Sequence, residues 1–376
     1  MEPLIFEQEW TGPAGEPLPI GPADPATQLA VDLEAAIPVH YLQEPTLLHE
    51  VATRWCERHR AWHGPAHLRG MLAKAAALPK GEQRDILSLA ALYHDAIYDP
   101  RANDNEEASA TLLRQHAADA DARVITKAVE VILASKWAQP PDSPQAREFF
   151  EWDAHTLAED CPLQERVAYE HAIFREYQWA GLATYRKKRR EFLEGWAERF
   201  PRHRRGVAEC LELLAALRPR VAVYPGSFHP FHRGHLSILR QAESVFDQVI
   251  IAVGVNRQKP GAAQSAEARH SDLQERLRFH EVASYHGLLT RFVEEMELPV
   301  TIVRGVRDGT DLEAELRFTR FLNELRPQTG VVWISCEAEL QHLSSSAIRE
   351  LEGIEPGAGQ RYLPETHEIY DLQPAP

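Results

Sequence analysis

The stretch VAVYPGSFHPFHRGH, residues 221–235, decides how this chain is read. Val221 and Val223, with Tyr224 beside them, predict a strand. The pattern breaks at Pro225-Gly226-Ser227 and runs into a helix-like segment, His235 to Leu239. A strand that ends in a Gly turn and feeds a helix N-terminus is a ready phosphate site. Backbone N–H groups and the positive end of the helix dipole both face the anion. His232 and His235 stand three apart at that helix start, so both can face one ligand. Alone, the same pattern also fits an ordinary turn with solvated histidines, and the sequence on either side has to choose.

Toward the C-terminus the pattern alternates. A strand at 248–255 is followed by a loop bearing Lys259 and by helices at 266–282 and 287–296. A strand at 299–304, a helix at 309–326, a strand at 330–334 and a helix starting near Ser345 complete the series. Near-continuous apolar strands separated by helices predict a parallel sheet covered on both faces, with ligands at the carboxyl ends of its strands. The Ser227, Lys259 and Arg304 segments all fall at such ends.

Toward the N-terminus, residues 41–217 are almost wholly helical in period, as in Leu68, Met71, Leu72 and Ala75 or Val124, Ala128, Val131 and Ile132. The basic run at 187–190 sits among acids and reads as a solvated helix face. Residues 1–38 are rich in Pro and Gly and read as an irregular lead-in with a short strand at Leu4-Ile5-Phe6. The expected organisation is therefore a lead-in at 1–38, a helical domain at 39–218, an α/β domain at 219–365 and a tail at 366–376.

A chain of 376 residues is long for one core and suggests two domains. Its net charge of −15 argues against a nucleic-acid partner and requires anionic ligands to find local basic pockets, of which Arg304 with Arg307 is one. Cys56, Cys161, Cys210 and Cys336 are scattered, as reduced thiols would be. The N-terminus carries acids where a signal peptide needs bases, and no apolar run approaches the ~20 residues of a membrane span. A cytoplasmic protein with no membrane partner is expected.

A second constellation lies in the helical half. His63 and His67 are four apart and share a helix face; His94-Asp95 ends an apolar helix, and Asp153 lies further on. Such an N/O donor set suits Mn, Fe, Mg or Zn.

Four motifs in order, YPGSFHPFHRGH, Asn256 to Pro260, RGVRDGTDLEAE at 304–315 and Leu343 to Arg349, resemble the phosphopantetheine adenylyltransferase family of nucleotidylyltransferases over residues 219–365. AALYHDAIYDP, DNEEASA and YRKKRREFL, with the histidines above, resemble the HD-domain metal-dependent phosphohydrolases over roughly residues 40–217. Together the resemblances imply an all-α HD-domain bundle followed by an α/β Rossmann-like nucleotidylyltransferase with a parallel sheet. They imply transfer of AMP from ATP, with Mg²⁺, to 4′-phosphopantetheine, giving dephospho-CoA and pyrophosphate, in a homo-oligomer.

By resemblance, Ser227 and His235 hold the triphosphate, with His235 stabilising the transition state, and Lys259 touches the phosphates of both substrates. Arg304 binds the acceptor and Arg307 the nucleotide phosphates. Glu315 lies on the adenosine side, and Ser344, Ser345 and Ser346 meet the β- and γ-phosphates. Phe228, His232, Gly305 and Asp311 complete the binding set. In the helical half, His67, His94, Asp95 and Asp153 are the implied ligands of a divalent metal such as Mn²⁺ or Fe²⁺ (or Mg²⁺). His63 is the implied general acid, and Lys136 faces substrate phosphate. Trp137 and His155 depart from that branch's pattern, which points to a weakened second metal or to a non-hydrolytic binding module. His229 and His232 depart toward nucleotidylyltransferases with another acceptor, such as nicotinate mononucleotide; the 304–315 motif opposes this.

Overall fold

The computed structural model describes residues 25–44, 46–117, 122–255, 262–296 and 298–373. The expected strand at 4–6 and Lys259 lie outside them.

The N-terminal region is helical. Its elements are α1 (Pro25–Ala36), α2 (Leu47–Trp55), α3 (Pro65–Ala76), α4 (Glu82–Tyr93) and α5 (Asn105–His116). They are followed by α6 (Ala122–Ala134), α7 (Pro144–Asp153), α8 (Leu163–Glu176), α9 (Leu182–Arg199) and α10 (Arg204–Ala216). Every residue of α4 from Ile86 to Tyr93 is buried, so after its charged first turn this helix is enclosed on all sides and forms a centre on which α3 and α6 pack. Its C-terminal end carries His94 and Asp95. Gly64 precedes α3 and Pro65 opens it, a pairing that sets a sharp helix start and places His67 in the first turn. Asp153 is the last residue of α7, whose N-cap Ser143 accepts from the Ala146 N–H at 3.1 Å.

The expected lead-in at 1–38 is corrected for residues 25–36. Leu29 and Leu33 of α1 are buried to 0% and 1% exposure, so this helix is part of the core. Pro25 belongs to its first turn, where a missing N–H is harmless; in the sequence it reads as one more loop proline.

The C-terminal region contains β1 (Val221–Gly226), α11 (Arg233–Glu243), β2 (Gln248–Val255), α12 (Ala262–Arg276) and β3 (Val282–His286). Then come α13 (Leu289–Glu294), β4 (Val300–Val306), α14 (Gly309–Leu325), β5 (Gly330–Ser335), α15 (Ser345–Ile354) and α16 (Thr366–Tyr370). The five strands form one parallel sheet in the order β3-β2-β1-β4-β5. Successive side chains alternate between faces. Ala222, Tyr224, Val249, Ile251 and Val303 join α11, α12 and α16 on one face, while Val223, Ile250, Ala252 and Ile302 join α13 and α14 on the other. The helices expected at 266–282 and 287–296 are present as α12 and α13, the first ending earlier, at Arg276, and between them lies β3, a short edge strand that the sequence reading did not include because its pattern is too brief to announce a period of two. The expected tail at 366–376 is corrected too, because Ile369 and Tyr370 of α16 are 3% and 2% exposed in the sheet's core.

The two halves pack directly. The His59 ring stacks on Phe279 with centroids 4.3 Å apart, and the Arg58 N–H donates to the Tyr370 carbonyl at 2.9 Å. Gln178 accepts from the Val249 N–H at 3.1 Å, and Arg278 pairs with Asp99. Among the described residues no helix is long and apolar enough to cross a membrane.

Candidate active sites

The strand order reverses between β1 and β4: β1 continues to β2 on one side, while β4 leads to β5 on the other. Ligands of open α/β sheets bind at the carboxyl ends of the strands flanking such a reversal. A cavity of about 310 Å³ lies there, lined by Phe228, His232, His235, Arg304, Gly305, Arg307, Asp311, Glu315, Ser344 and Ser345.

Local chemistry builds it. A Cβ on Gly226 would come 2.7 Å from the Phe228 ring, so only glycine lets the chain turn out of β1 there. Phe228 itself sits at φ 44°, a left-handed conformation that costs a bulky residue of order 1–3 kcal/mol and is concentrated at functional loops. α11 then starts with a reciprocal histidine cap. His232 Nδ1 accepts from the Gly234 N–H, and His235 Nδ1 accepts from the His232 N–H, each at 3.2 Å. An Nδ1 that accepts carries no proton, so the neutral His235 ring presents Nε2–H as a donor. Burial, reinforced by His232 and Arg307, holds His235 well below the usual histidine pKa; burial and then Arg307 take His232 down to about 4.

Both arginines are held by carboxylates. Arg304 Nε and Nη2 donate to Glu315 at 2.7 and 2.6 Å, and its Nη1 to the Pro225 carbonyl at 3.3 Å. Arg307 Nε and Nη2 donate to Asp311 at 2.7 and 3.0 Å. Such two-point pairs fix the planar guanidinium in orientation as well as position. Glu315, assigned by resemblance to the adenosine side, is thus bound to Arg304. Ser344 caps α15 by accepting from the Ala347 N–H at 3.1 Å, which aims that helix's N-terminus at the cavity. Ser227 and Ser346 are not among the lining residues; Ser227 is exposed, and Ser346 Oγ accepts from Arg349. Tyr224 and Leu343, which belong to the first and fourth motifs, also line the cavity, as do Ile238 and Cys336, which the sequence reading gave no site role.

In the helical half, α3, α4 and α7 bring four donor atoms together. His67 Nε2 and His94 Nε2 are 3.3 Å apart, and His94 Nε2 lies 3.1 Å from Asp95 Oδ2. Asp153 Oδ1 lies 3.4 Å from His67 Nε2 and 3.8 Å from His94 Nε2. Ligands about 2.1 Å from one cation lie roughly 3.0–3.4 Å apart; His67, His94 and Asp95 form one group able to hold a divalent ion, and Asp153 stands at its edge. His94 Nδ1 donates to the Ala91 carbonyl at 3.0 Å, which turns Nε2 toward the cluster. Trp137 Nε1 donates to Asp153 Oδ2 at 2.7 Å and leaves Oδ1 for the cluster. The residue that departs from the expected pattern therefore orients one of the carboxylates.

His63 flanks the group, and Glu176 of α8 holds it. Glu176 is 1% exposed; its Oε1 accepts from the Ala61, Trp62 and His63 N–H groups at 2.7, 2.7 and 2.9 Å. Its Oε2 accepts from His63 Nδ1 and the Tyr98 hydroxyl, both at 2.7 Å. Burial alone would raise this carboxyl, but His63 and the converging donors outweigh it and take it down to about 2. His63 is raised in turn: burial opposes its charge, and Glu176 and Asp95 overcome that. Sequence reasoning missed Glu176 because it lies 113 positions from His63. Lys136, expected at substrate phosphate, bonds Glu107 at 3.0 Å and the Asn103 carbonyl at 2.6 Å, and His155 pairs with Glu165 outside the cluster.

A family described as cytidylyltransferase-like matches residues 223–351, which contain the cavity at the strand reversal. Phosphopantetheine adenylyltransferase from Clostridium botulinum strain Hall is 36% identical over 135 residues, covering 35% of this chain and 81% of that enzyme. Its namesake from Clostridium tetani is 35% identical over 133 residues, covering 35% and 82%. The chain belongs to the phosphopantetheine adenylyltransferase family. The Clostridium enzymes match about a third of its length, and phosphopantetheine adenylyltransferase sequence is here joined to a helical region that holds its own cluster of histidines and carboxylates.

Proposed function

We propose that the C-terminal half transfers AMP from ATP to 4′-phosphopantetheine, giving dephospho-CoA and pyrophosphate. The observation that carries this is the convergence of His235, Arg304, Arg307 and the α15 N-terminus on one cavity at the strand reversal. Adenylyl transfer needs no protein nucleophile. It needs two anions aligned and the developing charge stabilised. His235 Nε2–H donates to a nonbridging oxygen of the α-phosphate as the acceptor's phosphate attacks and pyrophosphate leaves. Arg307 and the α15 start hold the β- and γ-phosphates, Arg304 orients the acceptor phosphate, and Mg²⁺ arrives with the nucleotide. Lys259 belongs to this proposal through its motif alone.

Arg304→Ala tests the acceptor assignment. The loss of one charge-assisted contact should raise the acceptor KM by roughly 10–100-fold and leave the KM for ATP within about twofold. Equal rises in both would place Arg304 on the nucleotide instead.

For the helical half, the donor spacing supports an HD-type metal-dependent phosphohydrolase with His67, His94, Asp95 and Asp153 as ligands. A divalent metal bound there would acidify a water and polarise a phosphoryl oxygen. Glu176 keeps His63 charged and oriented, so that His63 can give a proton to the leaving oxygen. Arg60 donates to the Asp95 and His63 carbonyls at 2.6 and 3.2 Å and fixes the two segments relative to each other.

A further inference from the structure

The 304–315 motif carries two acids as well as two arginines, and each arginine is paired with one of the acids. We propose that Glu315 and Asp311 are positioning residues for the transfer. Glu315 aims Arg304 at the acceptor's phosphate, Asp311 aims Arg307 at the nucleotide's, and Glu315 makes no contact with adenosine. Which arginine meets which substrate rests on the function proposed above; the positioning role itself does not.

The N–H groups of the two arginines are the first ground. A guanidinium side chain has five of them. Arg304 gives its Nε–H and one Nη2–H to Glu315, and one Nη1–H to the Pro225 carbonyl. Arg307 repeats the pattern, with its Nε–H and one Nη2–H on Asp311 and one Nη1–H on the Leu343 carbonyl at 3.2 Å. Among the described residues, each arginine therefore keeps one N–H on Nη1 and one on Nη2 without a partner, and both side chains line the cavity. Two N–H groups on neighbouring nitrogens suit a two-point contact to one phosphate.

The frame behind the pairs is the second ground. Asp311 and Glu315 stand four apart on α14 and so share one face of it, which meets the end of β4. The start of α14 is fixed there: Asp308 accepts from the Asp311 N–H at 2.9 Å, and Asp311 Oδ2 accepts from the Arg307 N–H at 3.2 Å. Phe318, one turn after Glu315, lies under the Arg304 guanidinium, with Cζ 4.9 Å from the ring centroid. Arg304 is thus held on one edge, on one face and at Nη1. The Glu315 side chain is 13% exposed and both its oxygens accept from Arg304, so an adenosine donor would have to compete with a charged one at either oxygen.

Calorimetric titration of the full chain with Mg²⁺-ATP and, separately, with 4′-phosphopantetheine tests this, beside melting curves that show each variant to be folded. Glu315→Gln should weaken the acceptor by roughly tenfold and leave Mg²⁺-ATP within about twofold; Asp311→Asn should do the reverse. Each carboxylate acts through its arginine, which double variants can show. Arg304→Ala/Glu315→Gln should bind the acceptor no more weakly than Arg304→Ala, and Arg307→Ala/Asp311→Asn should bind Mg²⁺-ATP no more weakly than Arg307→Ala. If Arg304→Ala instead weakens Mg²⁺-ATP and Glu315→Gln follows it, the acceptor assignment fails and the positioning role stands. The Asp311 arm needs only the nucleotide, so it reads that role even where 4′-phosphopantetheine does not bind. Weakening of Mg²⁺-ATP by Glu315→Gln while Arg304→Ala weakens the acceptor alone would make Glu315 an adenosine contact and overturn the proposal. Additive losses in either double variant would overturn it too.

Discussion

His235→Ala should lower adenylyl transfer by roughly 10²–10³-fold, the loss typical of one preorganised donor to a developing oxyanion. The tautomer makes the expectation specific. His235 Nδ1 is occupied by the His232 N–H, so Nε2–H is the ring's remaining polar group. Burial keeps the ring neutral in the free enzyme, so it donates without first having to acquire a proton. The effect should fall on kcat, with ATP affinity changed by only a fewfold, because a donor aimed at charge that develops during transfer contributes little to the ground state. The substitution also removes half of the α11 cap, a cost of about 1 kcal/mol that shows as a lower Tm. Steady-state kinetics beside a melting curve separates the two. Near-normal kcat in a folded variant would take His235 out of the mechanism.

Asp95→Ala should remove bound metal from the helical half. Loss of groups that merely orient a metal ligand costs about 10–100-fold in affinity, so loss of a ligand should cost at least the upper end of that range. Elemental analysis after incubation with Mn²⁺ should give about one ion per wild-type chain and near zero for the variant, with Lys136→Ala unchanged because that side chain is tied to Glu107. Wild-type protein that takes up no Mn²⁺, Fe²⁺ or Zn²⁺ would favour the reading of this half as a binding module. The variant's fold should survive, since Asp95 lies at the end of α4 rather than inside it.

Much of this was legible in the sequence because the ligand-binding end of a parallel sheet writes itself locally. A strand, a Gly turn and a helix start occupy fifteen consecutive residues at 221–235, and the 304–315 motif repeats the arrangement at the next strand end. The metal-like cluster was legible for a related reason, since His94 and Asp95 adjoin and His67 stands four after His63, although His63 precedes α3 rather than sharing a helix face with His67. What stayed hidden depends on contacts between distant segments. Glu176 reads as one more surface acid until α8 packs its carboxylate under three backbone N–H groups. The burial of α1 and α16 was masked by composition, since Pro-rich flanks look like loops whichever side of the core they land on. Trp137 looked like damage to a metal site, yet its indole N–H secures Asp153.

The central claim is that the cavity at the β1–β4 reversal joins ATP to 4′-phosphopantetheine. Pyrophosphate release from Mg²⁺-ATP, measured with that acceptor, with nicotinate mononucleotide and with none, tests it most directly. Release with 4′-phosphopantetheine alone, together with dephospho-CoA in equal amount, is the predicted result. Release with nicotinate mononucleotide instead, or with no acceptor offered, would contradict it.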